Sequence, residues 1–445
     1  MENKNTILLF HPRTGHESNY TFFWAPYSLL SLATMLNEYD VKIIDNNLEA
    51  DNYDKIIKKS IDDVLCVGIS SMIGNQIKDG LNFANNIRKL DENIPIVWGG
   101  ALPTILPEET LSSDLVDYVI RGQGEAKFSK LVNALAKNQQ TKNIEGVGYR
   151  GHIPGIDKPE DKNSFPSYPF ELIDFSKYIQ SDPHVNTRTI NYVSSQGCPF
   201  GCGFCSDTVL YQKSWTALSA KRSLEDITKL VDKYKVNGLK FYDSNFFVNS
   251  QRSKDFLNSI IDRNLGINWA TSAHPLTLLK AKDDFYSLLS KSRLSRLLIG
   301  AESGVQEELD LVRKRIKVGD TLTVAKRLGD YDIIGSFTFI VGYPGMPESN
   351  ISETIKYASK IRDMDARHEV KIHFYMPFPG TPLFERARQY GFNPPKTLDE
   401  WSNFDYYHIE TPWVDKKSEP EVMRFNQENC PYVLGAGYEK KQPAK

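Results

Sequence analysis

Cysteine is scarce in this chain, with five in 445 residues, and three of the five, Cys198, Cys202 and Cys205, crowd into one short stretch. The other two, Cys66 and Cys430, cannot staple a protein of this length. A disulfide framework is therefore excluded, and a reducing, cytoplasmic setting is expected. Long apolar runs are missing too: none approaches the roughly 18 residues of a membrane span. The opening Met1 to Asn5 leads into Thr6-Ile7-Leu8-Leu9-Phe10, too short for a signal peptide and better read as a first strand. Neither charge sign dominates. Lys plus Arg is 54 against 56 Asp plus Glu, a net charge of −2, so a general nucleic-acid or membrane surface is not expected. Internal repeats and low-complexity tracts are absent as well. The length implies two or three domains and a large core.

Alternating patterns then dominate. Apolar runs at 6–10, 41–45, 64–69, 94–98 and 117–121 predict buried parallel strands. Helical periodicity falls between them near 26–38, 52–61, 76–90 and 124–136. This is a doubly wound, Rossmann-like α/β sheet over 1–140, whose ligands belong at the strand carboxyl ends. Three glycine-bearing turns follow successive strands: Ser70 to Asn75, Gly99 to Thr104, and Arg121 to Glu125. Together they point to a ligand cleft. A polar, proline-bearing linker is expected over 141–187, with a small hairpin at 144–153.

From 188 a second series begins. Strands are expected at 188–194, 238–242, 267–271, 295–300, 335–341 and 369–376. Helices are expected at about 217–234, 251–264, 276–290, 305–315, 319–330 and 350–364. Six such units make a partial β/α barrel over 188–384, with functional groups at the strand C-termini. The remainder, 385–445, is rich in aromatics (Trp401, Phe404, Tyr406, Tyr407, Trp413, Tyr432) and reads as a C-terminal cap.

The cysteines follow the first strand of that barrel, as Cys198-Pro199-Phe200-Gly201-Cys202-Gly203-Phe204-Cys205. Thiolates are soft ligands that select iron–sulfur clusters or zinc. An ordinary zinc or [4Fe–4S] site takes four protein ligands. Three in one glycine-rich loop leave one metal corner open, where a small molecule can bind and react. A zinc site with a remote fourth ligand is the alternative.

This spacing, with an aromatic residue before the last cysteine, resembles the signature of radical S-adenosylmethionine (SAM) enzymes. Over its whole length the chain resembles those carrying a cobalamin-binding domain, the class B methylases and oxidative cyclase-like members. The resemblance implies a [4Fe–4S] cluster on Cys198, Cys202 and Cys205, with SAM on the open iron. It places SAM near Phe204, Asp243, Ser272, His274 and Glu302. Cobalamin is implied along the first sheet, at Pro26, Tyr27, Ser70, Ser71, Met72, Gly74 and Asn75. It continues along Gly99, Gly100, Ala101, Pro103, Thr104, Gly122, Gln123, Gly124 and Glu125. Gln123 departs from the family's usual Gly-Glu-Gly-Glu, and His274 stands where relatives often carry arginine. No Asp-x-His-x-x-Gly motif follows the first strand. A cobalt without a protein histidine ligand is therefore expected, and His11 and His16 read as loop residues.

The implied activity is methyl transfer to an unactivated carbon of a small metabolite or natural-product intermediate. It would use a 5′-deoxyadenosyl radical and methylcobalamin, with a flavodoxin or ferredoxin as electron donor. Oxidative ring closure or ring rearrangement is the alternative. Methylthiotransfer to RNA is excluded, because it needs further cluster cysteines in the first domain and only Cys66 is there. Cys430 reads as a packed tail cysteine.

Overall fold

The computed structural model describes residues 4–14, 23–405 and 411–429. His16, Tyr406, Tyr407, Cys430 and Tyr432 lie outside the described residues. Two compact units emerge. One gathers Met1–Tyr178, Leu210–Gln212 and Pro394–His408; the other gathers Ile179–Val209, Lys213–Asn393 and Ile409–Lys445.

The first unit is a six-stranded sheet in the order β2-β1-β3-β4-β5-β6. Its strands are β1 Thr6–His11, β2 Asp40–Asp45, β3 Val64–Ser70, β4 Ile96–Gly99, β5 Tyr118–Ile120 and β6 Val147–Tyr149. β1 to β5 pair in parallel, and β6 closes the edge antiparallel to β5. The parallel strands carry near-continuous apolar sequence because helices cover both faces of the sheet. Ile7, Leu9, Cys66, Val97 and Phe128 fill one core layer. Burial pushes the Cys66 thiol up to about 12, as befits an inert packed cysteine. The expected linker is mostly irregular but carries short elements. It supplies β6, and its Phe165, Tyr168, Phe175 and Tyr178 are buried within this unit. Tyr178 donates to Asp45 at 2.8 Å.

The second unit holds a seven-stranded sheet in the order β15-β14-β13-β12-β11-β8-β7 and a two-stranded ribbon of β9 and β10. Its strands are β7 Gln180–Asp182, β8 Asn186–Tyr192, β9 Ser195–Gly197, β10 Trp215–Ala217, β11 Gly238–Phe241, β12 Asn268–Ala273, β13 Leu294–Glu302, β14 Ile334–Val341 and β15 Glu369–Phe374. The six expected strands run parallel. β7 adds an antiparallel edge. One face packs Ile190, Leu239, Trp269, Leu297, Phe337 and Ile372 out of solvent. The alternate positions Lys240, Ser272, Leu298, Thr338 and Lys371 turn to the other face, as a two-residue period requires. Ion pairs close the start of that face: Lys240 with Asp182 at 2.8 Å and Arg296 with Glu369 at 2.6 Å.

Helix bounds differ from expectation where the backbone finds other partners. The helix expected over 276–290 is two, Pro275–Lys280 and Asp283–Lys291. The carbonyl freed at Ala281 accepts from Arg327 at 2.7 Å, which also pairs with Asp283. The helix expected over 26–38 stops at Ala33, and the one over 305–315 stops at Leu311. No helix among the described residues is long and apolar enough to cross a membrane. The aromatic tail divides: Trp401 and Phe404 pack edge to face at 4.9 Å in the first unit, while Trp413 donates to the Gly342 carbonyl in the second.

Candidate active site

The cysteine loop is the excursion between β9 and β10, whose antiparallel pairing sets Gly197 opposite Trp215. Gly197 enters the loop at φ +79°, a conformation glycine adopts without cost. Two segments grip the loop: Gly203 N–H donates to the Val312 carbonyl at 2.8 Å, and Leu383 N–H donates to the Gly203 carbonyl at 3.0 Å. Cys198, Cys202 and Cys205 are all free thiols. Burial raises the pKa of each, that of Cys205 to about 12. Burial thus disfavours the bare thiolates, a cost that a bound metal would offset. Among the described residues no group of three or more His, Cys, Asp or Glu converges as a site for a metal ion.

Behind the loop lies a buried polar network. Asp243, at the end of β11, is 1% exposed and accepts three hydrogen bonds. They come from the Ser194 N–H at 2.8 Å, the Ser194 hydroxyl at 2.5 Å and the Ser195 hydroxyl at 2.6 Å. Its carboxylate is therefore engaged with the strand that launches the cysteines. Arg252 joins from the side, donating to the Ser194 hydroxyl at 2.6 Å and to the Leu218 carbonyl at 2.7 Å. Two residues on, Asn245 donates from Nδ2 to the Cys198 sulfur at 3.9 Å.

Glu302 ends β13 with φ +66°, a strained conformation for a glutamate. The β13–β14 register is irregular between Gly300 and Glu302. The Glu302 carboxylate accepts from Lys314 at 2.6 Å, and both side chains are 6% exposed. A side chain at Gly300 would collide with this pair, which explains the glycine. Burial works against the Lys314 charge, but Glu302 and then Cys202 outweigh it and hold its pKa above the ordinary lysine value. A permanent cation thus lies in the field of the cysteine sulfurs, suiting a cluster of net negative charge.

His274 caps the helix that follows β12. Its Nδ1 accepts from the Leu276 N–H at 3.2 Å, so the proton sits on Nε2. That Nε2 is buried without a partner. The ring stacks on Phe200 of the cysteine loop, centroids 3.7 Å apart. Burial, then Lys314 and Arg315, push its pKa down to about 2, so it is a neutral donor. Ser272 sits one strand position before the end of β12 and its carbonyl accepts from Phe246 N–H at 3.1 Å. Phe204 is half-buried in the loop. Large apolar side chains stand open nearby: Tyr242 just past β11 is 48% exposed, and Leu298 on β13 is 37% exposed.

Sequence reasoning missed Arg252 and Lys314. Lys314 is flanked by Arg313 and Arg315 and reads as one of three equivalent surface cations. Only the fold buries the middle one, and the glycine two residues before Glu302 was the available hint.

In the first unit the three glycine turns line up side by side, since β3, β4 and β5 are neighbours. Ser71 N–H donates to Gly99 O and Leu102 N–H to Ser71 O, tying the first two turns together. Thr104 links the last two: its hydroxyl donates to the Gly100 carbonyl at 2.7 Å and accepts from Gly122 N–H at 3.0 Å. Gly100 has φ +94° and a Cβ there would lie 2.8 Å from the Ser71 carbonyl, whereas a Cβ on Gly99 would meet nothing within 4 Å. Met72 is 52% exposed. The Ser28 and Ser70 hydroxyls meet at 3.3 Å in an exposed position. An open, backbone-lined shelf with an uncovered thioether is what a flat macrocycle needs, so these residues fit cobalamin. Pro26 is buried and Tyr27 is 5% exposed, the latter packed edge-on against Tyr168. Glu125 is 3% exposed and bound to Ser31 at 2.5 Å. Pro103 is buried, and Gly74 opens the helix Asn75–Leu90 at φ +107°. Gln123 accepts from Glu160 N–H, and a Cβ on Gly124 would lie 2.9 Å from Leu32. Ala101 begins a helical turn at the shelf's edge, and Asn75 donates to the Arg13 carbonyl. His11 is the last residue of β1, with Nδ1 buried and unpartnered.

Comparison with known proteins agrees with both halves. Residues 18–132 match the B12 binding domain and residues 192–358 match the radical SAM superfamily. An uncharacterized methyltransferase of Pyrococcus horikoshii is 29% identical, over 81% of this chain and 78% of its own length. The anaerobic magnesium-protoporphyrin IX monomethyl ester cyclase of Rubrivivax gelatinosus is 24% identical, over 81% and 66%. Among solved structures, the radical SAM methyltransferase TsrM from Kitasatospora setae, with cobalamin and a [4Fe–4S] cluster bound, superposes with a TM-score of 0.70. That match covers 87% of this chain and 78% of TsrM at 16% identity, a likeness of fold.

Proposed function

This chain belongs to the family that joins a B12-binding domain to a radical SAM domain, and from that premise we propose that it is a cobalamin-dependent C-methyltransferase. Its substrate is a small metabolite or natural-product intermediate with an unactivated carbon. The observation that carries the reading is the three-thiol loop with one ligand too few, braced by buried Asp243, Arg252 and Lys314. Methylation is preferred to other outcomes because the Pyrococcus relative, which aligns over most of both chains, is named a methyltransferase.

Bound here, the cluster, SAM and cobalamin supply reductive cleavage to a 5′-deoxyadenosyl radical and the methyl group to be transferred. The chain's own residues do the rest. Cys198, Cys202 and Cys205 would hold a cluster with one ligand too few, leaving an iron for SAM. His274 offers a fixed N–H donor to an acceptor on SAM, and Phe204, Ser272 and Glu302 border the same space. Asp243 holds the loop from behind. Tyr242 and Leu298 present apolar surface on which a substrate can exclude water. In the first unit Met72, Gly99, Gly100, Thr104 and Gly122 would receive the corrin and its tail. Electrons come from a flavodoxin or ferredoxin in a cytoplasmic setting.

Ring closure without methyl transfer is the second reading, favoured by the cyclase relative from Rubrivivax. Product analysis separates the two. Methyl transfer forms S-adenosylhomocysteine and 5′-deoxyadenosine in step with product. A cyclase forms 5′-deoxyadenosine alone, and that result sinks the methylase.

A further inference from the structure

Between the helices Gln306–Leu311 and Val318–Asp330 the chain alternates sides residue by residue. Val312, Lys314 and Ile316 are buried, while Arg313, Arg315 and Lys317 stand in solvent. Another exposed cation, Lys213, comes from the far end of the cysteine loop, and a Cβ on Gly201 would lie 3.2 Å from its Cε. The backbone resists this arrangement. Lys213, Arg313 and Arg315 hold φ at +54°, +56° and +61°, the left-handed region that disfavours long side chains. Among the described residues, no ion pair or hydrogen bond engages the side chains of these three. Such strain clusters at functional sites. The exposed acids Glu307 and Asp310 lie earlier, on the preceding helix, and Asp310 is bonded to Gln306. The whole chain carries a net charge of −2, so the basic patch is a local feature.

Its place matters more than its sign. Val312, next to Arg313, accepts from the Gly203 N–H at 2.8 Å, and Gly203 is joined by its peptide bond to Cys202. One hydrogen bond and a few covalent bonds therefore separate the patch from a cluster ligand. Burial governs the Cys202 thiol, yet the charges of Lys314 and, more weakly, Arg315 also reach it. Electron transfer falls steeply with distance, and a carrier seated here has a short bonded path inward.

We propose that Lys213, Arg313, Arg315 and Lys317 form the docking surface for an acidic, low-potential electron-carrier protein, with Val312 and Gly203 as the route inward. The inference rests on the radical SAM reading. The carrier is oxidised by one electron and a [4Fe–4S]²⁺ cluster is reduced to the 1+ state; no covalent bond forms or breaks. Transient redox complexes use small surfaces, so opposite charge must speed and orient the encounter, and salt screens that attraction.

The test uses full-length protein reconstituted anaerobically with iron and sulfide, with cluster reduction followed by stopped-flow absorbance. The reductants are reduced flavodoxin, an acidic carrier, and dithionite, which needs no docking surface. Arg313→Glu combined with Arg315→Glu should slow reduction by flavodoxin about tenfold at low salt and leave the dithionite rate unchanged. Added salt should slow the wild-type protein toward the variant and hardly move the variant. Lys213→Glu should show the same pattern more weakly. If the double reversal fails to hold iron, Arg313→Gln combined with Arg315→Gln decides. Wild-type flavodoxin kinetics in the variant overturn the proposal. An equal loss with both reductants also overturns it, since the residues would then only support the loop. A wild-type cluster that dithionite reduces and flavodoxin does not overturns it as well. Unchanged flavodoxin kinetics with lost retention on phosphatidylserine vesicles would give the patch to a membrane instead. A wild-type protein that assembles no cluster overturns the radical SAM reading, before any carrier is compared.

Discussion

The two strand-end sites of this molecule are built on opposite plans. In the first unit, backbone and small side chains make an open shelf, where Gly99 faces empty space and Met72 is half exposed. In the second, charge is buried and backbone is strained. Glu302 sits at φ +66° on a dry ion pair, and Asp243 accepts three hydrogen bonds from two serines. The difference follows from the ligands. A wide macrocycle is gripped by shape over many contacts, so its site needs room and little chemistry. A small anionic cluster and a zwitterion are gripped by electrostatics, which are strong only out of water.

If the plans are independent, damage to one site should spare the other. Cys202→Ala has the largest expected effect: activity and stoichiometric iron are lost, while cobalamin retention stays at the wild-type level. Joint loss of iron and cobalt would break the comparison. Next comes Lys314→Met, which strands the buried Glu302 carboxylate. Breaking a buried pair by removing one partner costs about 3–5 kcal/mol, read as a fall in the denaturation midpoint, and Lys314→Arg should recover part of it.

Acid probes the base of the second sheet. Burial raises the Glu369 pKa, but His184 and Arg296 outweigh it and hold the group at about 2, against 4.5 for a free glutamate. Its contribution to stability is complete above about pH 4.5 and is lost as pH falls toward 2. At about 1.4 kcal/mol per pH unit, that is about 3 kcal/mol. Urea titrations from pH 5 downward should show this slope, and Glu369→Gln should flatten it. The smallest effects lie in the first unit. Gly100→Ala forces a glycine-only conformation and should cost about 1–3 kcal/mol. Gly99→Val should leave stability unchanged and weaken cobalamin retention. Equal thermal shifts in the two variants would remove the shelf from the account.

Much of this was legible in the sequence, because the two plans announce themselves differently. The parallel strands showed as apolar runs, and β1 to β5 fall within two residues of expectation. The cysteine trio and the three glycine turns are local signals, readable without a partner. What the sequence hid is long-range. The β9–β10 ribbon that frames the cysteine loop pairs residues on either side of it, and nothing local marks them as strands. The bonds that tie Asp243 to Ser194, 49 positions earlier, are likewise invisible locally. Lys314 is one of three adjacent cations, and only the distant Glu302 singles it out. Trp401 and Trp413 looked like one cap yet pack in different units, a division that composition cannot express.

The central claim is that one chain carries two cofactor sites. Metal content after anaerobic reconstitution with iron, sulfide and hydroxocobalamin tests it most directly. The account predicts near one cobalt and about four irons per chain, with the cobalt retained through gel filtration. Iron without cobalt would contradict it and leave the first sheet as a substrate or partner domain on a simpler radical enzyme.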